Sequence, residues 1–286
     1  MTRPTESGVI LVNVLVALAL GAALVSLMLT SQDGAIDRAR RAAAVAQAEA
    51  IALGAETSVL VALRRDMVDA PEADHYAEPW AQAAQAETIL ETGRFAVQIQ
   101  DAQARLDLNG LTTGGLAQAQ TLSRLVAELE LPPETADRIV AAMREVGQIT
   151  RLGQIPGLDE EARAQLEPFV AFLPRPAPVN LNTADQLLMG VLLQNRVAAR
   201  RLSDLRERNG ALSPEDILDL GLVPTGATSF QSDIWDINVL AEIDGVALSL
   251  TSRLVRQQGL NGGEVIVVSR QFGLRPADEL PPLPLE

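Results

Sequence analysis

The sequence predicts an α+β fold: a long amino-terminal helix packed on a small antiparallel sheet, with a large helical domain inserted into that sheet. Three observations carry this. An uncharged apolar run at residues 9–29 continues into helix-forming sequence as far as about Met67. Segments that alternate apolar and polar residues lie at 94–100 and again at 246–251 and 265–269, as half-buried strands require. Between them, from Leu116 to about Leu222, helical patterns dominate.

The apolar run comes first in the chain. Its 21 residues rise about 32 Å as a helix, enough for a bilayer core of about 30 Å. The leader before it is eight residues long, carries Arg3 and ends in Gly8. A secretory signal peptide has a shorter apolar core, about 7–15 residues, with a small-x-small cleavage site behind it. Ala17-Leu18-Ala19 and Gly21-Ala22-Ala23 mimic such a site, but the apolar run continues past both. A short leader with glycine directly before the span resembles a prepilin signal, in which the cut falls before the apolar segment and the mature protein keeps its anchor. Flanking charge gives the opposite orientation. Arg3 and the amino terminus stand on one side and Arg38, Arg40 and Arg41 on the other, so the positive-inside rule alone favours a cytoplasmic far side. The prepilin resemblance instead places the leader in the cytoplasm. Within the run, Asn13 is polar at membrane depth, and Ala17 and Gly21 offer a small-xxx-small face for another helix.

Composition narrows the function classes. A formal charge of −14 argues against nucleic acid as the main partner, since such binding draws on Lys and Arg at phosphates. All 23 basic residues are Arg, which together with abundant Ala reads as GC-rich coding. With no cysteine, disulfides and thiolate metal sites are excluded.

Beyond the span, Ala39, Ala43, Ala46, Ala50, Leu53, Thr57, Leu60 and Met67 follow three- and four-residue steps and predict one apolar seam, small in its first half and bulky in its second. Gly34 and Gly54 weaken the helix locally by about 1 kcal/mol each. Residues 71–79 are acidic and proline-bounded, and read as a loop holding the one histidine, His75, in solvent. Asn261-Gly262-Gly263 marks a turn between the last two strands, and 276–286, with four prolines, reads as a disordered tail.

The helical block carries an internal repeat: Leu106-Asp107-Leu108-Asn109 matches Val179-Asn180-Leu181-Asn182. Thr183 or Asn182 is expected to cap the next helix; Ser213, Pro214 and Asp216 predict a capping box further on. The layout resembles a helix-hairpin-helix module of the competence-protein type, which binds DNA through hairpin glycines. Here the hairpins read Leu192-Leu193-Gln194-Asn195 and Leu131-Pro132-Pro133-Glu134, without glycine, so these units are read as structural. Asp233, Asp236, Glu242 and Asp244 are hard-oxygen residues near the returning strands, but their spacing is not that of an EF-hand loop, and a solvated surface is expected. No phosphate-binding glycine loop or HExxH motif occurs, and no catalytic residue is assigned.

In order, the Gly8 junction, the long helix, the segment 101–109, Ile155-Pro156-Gly157-Leu158, the segment 169–174, the motif at 179–184 and the closing Ser269-Arg270-Gln271-Phe272-Gly273 resemble the minor pseudopilin K family of bacterial type II secretion systems, the general secretion pathway protein K family. The resemblance covers most of the chain. It implies a pilin-like helix and sheet with an inserted helical domain of two helix-hairpin-helix or SAM-like units. The expected parts are a prepilin leader (1–8), a transmembrane helix (9–30), its extension (31–68), the first part of the pilin-like domain (69–105), the inserted helical domain (106–230), the returning strands (231–275) and the tail. A prepilin peptidase would cut between Gly8 and Val9 and methylate Val9. Asn13, Ala17 and Gly21 would belong to the assembly helix, Asn13 standing where major subunits carry Glu. The partners implied are minor pseudopilins I and J, the peptidase and the membrane, with no nucleic acid. The anchored protein would be a single-pass protein of the inner membrane with its globular part in the periplasm, capping the pseudopilus tip and helping to start its assembly. No resident cofactor is expected apart from calcium, which some family members bind and which the sequence does not map to residues. The competing reading is a membrane-anchored helix-hairpin-helix DNA-binding competence protein.

Overall fold

The computed structural model describes residues 6–112, 115–223, 225–259 and 262–276. Most of the leader (1–5), Asn261 and the tail beyond Pro276 lie outside the described residues. Helix α1 (Glu6–Asp69) runs unbroken for 64 residues, about 96 Å. It stops just before Pro71, which lacks an N–H and disfavours a helical conformation in the residue before it.

The first strands are β1 (Gln85–Leu90) and β2 (Gly93–Asp101). The chain then leaves the sheet for about 130 residues and returns as β7 (Ile234–Ile243), β8 (Val246–Gly259) and β9 (Gly262–Pro276). These five form one antiparallel sheet in the order β1-β2-β7-β8-β9. At the β2–β7 contact Gly93 lies so close to its neighbour that a Cβ would sit 1.8 Å from the Glu242 carbonyl oxygen, so only glycine fits. The insertion leaves from Asp101 and rejoins beside Trp235, its paired residue, and so spreads no strands apart.

Strands β1 and β7 are not among the alternating segments that predict the sheet, although β7 falls within the span 231–275 expected to return to it. The segment β7 is the centre of the sheet and alternates fully buried with half-buried residues, and its half-buried positions carry Asp236 and Glu242, whose charges mask the strand pattern. Strand β1 is short, exposed and ladder-edge, with little apolar signal.

The packing face of α1 also differs from the expected seam. Ala44, Ala48, Ala52, Glu56, Val59, Leu63 and Asp66 are buried against the sheet. Ala39, Ala43, Ala46, Ala50 and Thr57 are exposed, while Leu53, Leu60 and Met67 are half-buried at its margin. Counting 100° per residue, the exposed seam is turned roughly 165° from the buried one, to nearly the opposite side of the helix. The buried face was hidden because Glu56 and Asp66, two acidic residues, occupy core positions in it. Small alanines let the helix axis approach the strands closely, and Val59 and Leu63 fill the wider space above.

The insertion is two units of the same plan. The first comprises β3 (Leu106–Asp107), α2 (Gly115–Glu128), α3 (Glu134–Val146), α4 (Glu160–Leu166) and β4 (Val170–Ala171). The second comprises β5 (Val179–Asn180), α5 (Gln186–Leu193), α6 (Arg196–Asn209), α7 (Pro214–Asp219) and β6 (Thr228–Ser229). In each, the first strand pairs in parallel with the last. The repeated asparagine closes both. Asn109 accepts from Ile149 N at 3.1 Å and donates to Leu173 O at 3.0 Å. Asn182 accepts from Leu212 N at 2.6 Å and donates to Phe230 O at 3.3 Å. Leu108 N to Ala171 O and Leu181 N to Ser229 O, 2.8 and 2.9 Å, are matching bonds. Gly147 and Gly210 end α3 and α6 with φ of 81° and 85°, two residues before the segments these asparagines hold. Both units share one apolar core.

Asn182 and Thr183 therefore do not cap α5. Asp185 does, accepting from Leu187 N at 2.7 Å, because the asparagine is spent on the closure. The Ser213–Asp216 capping box on α7 is present, with Pro214 in the first turn.

If the asparagines clamp their units, Asn109→Ala and Asn182→Ala each leave a buried N–H and a carbonyl unpaired. Each is expected to cost about 2–4 kcal/mol in urea denaturation, with new protease sites confined to its own unit.

Candidate functional site

Two regions stand out: the exposed apolar half of α1, and the junction where its other end meets the sheet and the insertion. Among the described residues α1 is the one helix long and apolar enough to cross a membrane, and none of its most apolar window is buried by the rest of the chain. Leu11, Leu18, Leu24 and Leu27 are each more than 60% exposed, a surface that water would penalise and lipid or other helices would cover. Asn13, Ala17 and Gly21 are exposed and follow one another at i, i+4 and i+8 on one side of the helix. A Cβ at Gly21 would meet nothing, so nothing within this chain requires glycine there. Gly8 and Val9 lie in the first turns of α1.

At the other end, acidic side chains on the buried face of α1 find arginines from the strands. Glu56 accepts from Ser252 and from both Nε and Nη2 of Arg270. Arg256, on β8, reaches Asp66 on α1 at 3.0 Å and Asp74 in the following loop at 2.9 Å, with its guanidinium carbon 4.8 Å from the centre of the Trp235 ring. Trp80 stacks edge-on against Trp235 and donates its indole N–H to Glu78 at 2.8 Å. His75 is not free in solvent. Its backbone N–H donates to Glu78 at 2.8 Å, its ring accepts from Ala77 N, and its other ring nitrogen lies 3.9 Å from Glu78. The loop is thus wrapped around its own acidic residues.

Asp74 carries the junction onward. Its N–H donates to Phe230 O, its carboxylate accepts from Ser232 N at 2.7 Å, and its carbonyl accepts from Asn180. Asn180 and Ser232 in turn donate to Asp101 at 3.0 and 2.5 Å, as does Thr183 at 2.5 Å, while Gln103 N bonds its other oxygen. So Asp101, the last residue of β2, gathers both ends of the insertion. Sequence reasoning saw the Val179–Ala184 motif and the segment after Asp101, but not that one carboxylate joins them.

Burial of the carboxyl pushes Asp101 up to about 6, more than its four donors pull it down. Asp107 is likewise raised to about 6 by burial. Asp66 is raised to about 7 by burial first, then by the charges of Glu78 and Asp74, against the opposing pull of Arg256.

The four carboxylates noted near the returning strands do not converge. Asp233 pairs with Arg175 at 2.8 Å, Asp236 with Arg253 and Arg105, and Glu242 with Arg94, while Asp244 sits in the β7–β8 turn at φ 47°. Each already holds a cation or a turn, so this set does not fit a metal. Asp66, Asp74 and Glu78 do fit a hard cation: all three are buried and offer carboxylate oxygens within 4.8 Å of one another. The amino-terminal end of α6 is closed by Asn195, which accepts from Ala198 N, and no hairpin glycine precedes it.

Comparison with known proteins agrees with this geometry. The chain matches no protein-family model. The crystal structure of the GspK-GspI-GspJ complex from the enterotoxigenic Escherichia coli type 2 secretion system contains a chain that superimposes with a TM-score of 0.63 at 20% identity, over 82% of this chain and 99% of that one. The two chains therefore share one fold, a long helix on an antiparallel sheet enlarged by a helical insertion. In sequence, the type II secretion system protein K of Pseudomonas aeruginosa is 26% identical over 95% of this chain and 94% of its own length. That of Klebsiella pneumoniae is 31% identical over 54% of this chain and half of its own. The chain is thus similar, over nearly its whole length, to a type II secretion system protein K.

A raised acid binds its proton more tightly folded than unfolded, so its stabilising share is complete below about pH 4 and lost as pH rises through about 6. Asp101 should therefore subtract on the order of 3 kcal/mol between pH 4 and pH 7. Urea unfolding across that range is expected to lose this slope in Asp101→Asn.

Proposed function

We propose that this chain is a minor pseudopilin of a type II secretion system, a structural subunit with no catalytic role, anchored once in the inner membrane with its globular part in the periplasm. The observation that carries the reading is the continuity of α1. One helix is bare and apolar over residues 11–29, yet buried on the sheet from Ala44 onward. A cleaved signal would not be made continuous with the core of the domain it precedes.

In this role a prepilin peptidase removes residues 1–8 and methylates Val9. The anchor then packs beside those of pseudopilins I and J at the pseudopilus tip, using the small face at Ala17 and Gly21. Asn13 cannot supply the carboxylate that pairs with a neighbour's amino terminus in major subunits, which suits a subunit that ends the stack. The alanine seam at 39, 43, 46 and 50, left exposed by the fold, continues this packing surface above the membrane.

The decisive measurement is the mature amino terminus by mass spectrometry, in cells with and without the peptidase. Methylated Val9 that depends on the peptidase is expected. An intact Met1, or a start inside the apolar run, would refute the assignment.

The seam makes a separate prediction. Ala43→Leu with Ala46→Leu should leave stability within about 0.5 kcal/mol, since both sites are exposed. Export of the system's cargo, measured as secreted activity, should fall at least tenfold.

A further inference from the structure

Where the first helical unit overhangs the sheet, a cleft of about 520 Å³ opens on the side turned away from α1. Ile237 packs toward α1 and Ser252 bonds its Glu56. Asp236 and Arg253, one residue along their strands, therefore point to the other side, where they lie opposite each other on β7 and β8. Residues 150–153, α4 and β4 of the first unit form the facing wall.

The charge of this cleft runs against that of the chain. In a protein of net charge −14 it gathers four arginines, Arg105, Arg151, Arg163 and Arg253. The acids beside them are shared or already used. Asp236 accepts from Nε and Nη2 of Arg253 at 2.7 and 2.9 Å, and also from Nη2 of Arg105 at 3.2 Å. Arg163 is spent on Glu160 of its own helix. Glu167 is exposed and, among the described residues, pairs with no arginine. Donors are thus left over. The Arg151 guanidinium meets no acid among the described residues, and Arg105 keeps Nε and Nη1 unspent.

Two of these arginines are also held in place. The side chains of Arg105 and Arg253 are each 23% exposed, and Arg253 donates in addition to Phe172 O. A guanidinium already fixed loses little freedom when a further acceptor arrives. Beside them Leu152 and Val170 are buried and Phe172 is half-buried, so the donors stand next to an apolar wall.

We propose that the cleft binds a short acidic segment of a partner protein, with a carboxylate held by Arg105 and Arg151 and a neighbouring apolar side chain laid on Leu152, Val170 and Phe172. Each feature selects this occupant. Guanidinium forks match carboxylates in two-point contact. The apolar wall offers nothing to a bare phosphate ion, whereas Asp or Glu beside Leu or Phe uses both surfaces. The net charge of the chain repels an acidic segment elsewhere, so attraction is confined to the cleft. The inference rests on the cleft alone and stands whichever assembly the chain joins.

The test is fluorescence anisotropy of a fluorescein-labelled peptide, Gly-Asp-Leu-Glu-Phe-Gly, with the full chain in detergent. Saturation at one peptide per chain is expected, with Kd below about 1 mM. The Asn and Gln counterpart of the peptide should bind about tenfold more weakly. Arg151 is exposed, so Arg151→Glu should keep the thermal midpoint while weakening binding about tenfold. Arg105→Gln should act in the same direction. Arg200→Glu makes the same charge change at an exposed position of α6 that does not line the cleft, and should stay within about twofold. Absence of saturable binding, equal affinity for the amide peptide, or equal loss in Arg200→Glu and Arg151→Glu overturns the proposal. Inorganic phosphate that displaces the labelled peptide as well as the unlabelled peptide does would reduce the cleft to a simple anion site, and overturns it too. If Arg105→Gln fails to fold, Arg151→Glu decides.

Discussion

The guanidinium of Arg256 is the tie on which the architecture depends. It comes from the sheet, grips the end of the long helix α1 through Asp66, holds the loop through Asp74, and rests on Trp235. Its own burial would be costly without these partners, and theirs without it. Removing it would leave at least two acidic groups uncompensated in the interior. The loop at 71–80 has little apolar surface of its own beyond Trp80, so this charge pairing, rather than packing, decides where it lies. Through Asp74 the same tie extends to the strand pair at the base of the second helical unit.

The insertion is accommodated by a topological economy. It departs and returns at residues paired across adjacent strands, so the sheet keeps its register whatever the inserted domain contains. Asp101 marks the point of departure and is bonded by Asn180, Thr183 and Ser232, which lie at the second unit's beginning and just past its end. The two units differ in helix length and in the connections between helices. They nonetheless use one closing device, an asparagine that bridges a turn after the second helix to the chain beside the last strand. Such a device depends on two atoms of one side chain, and so survives large drift elsewhere.

What the sequence disclosed follows from which signals are local. The apolar run, the continuous helix, the β8–β9 pair and the repeated Leu-x-Leu-Asn and Val-x-Leu-Asn motifs are written in composition and short-range pattern. The buried face of α1 was not, since Glu56 and Asp66 interrupt it, and only arginines some 200 residues away make them core residues. Strand β7 was passed over because its half-buried positions carry Asp236, Asn238 and Glu242, whose partners lie on neighbouring strands. The junction escaped for the same reason: no spacing in the chain announces that Asp66, Asp74, Asp101, Asn180 and Arg256 converge. His75 was placed in solvent because its partner, Glu78, was read as one more acidic loop residue.

The stretch of α1 between the apolar run and the first buried residue has its own consequence. Residues 30–43 span about 21 Å of helix, and almost all of them are exposed. The head thus stands clear of the apolar run on a bare single-helix stalk. An element of helix thickness, about 10 Å, fits in the gap between the head and the apolar run. The clearance is a fixed property of helix rise, and it sets the height at which this head can meet its neighbours.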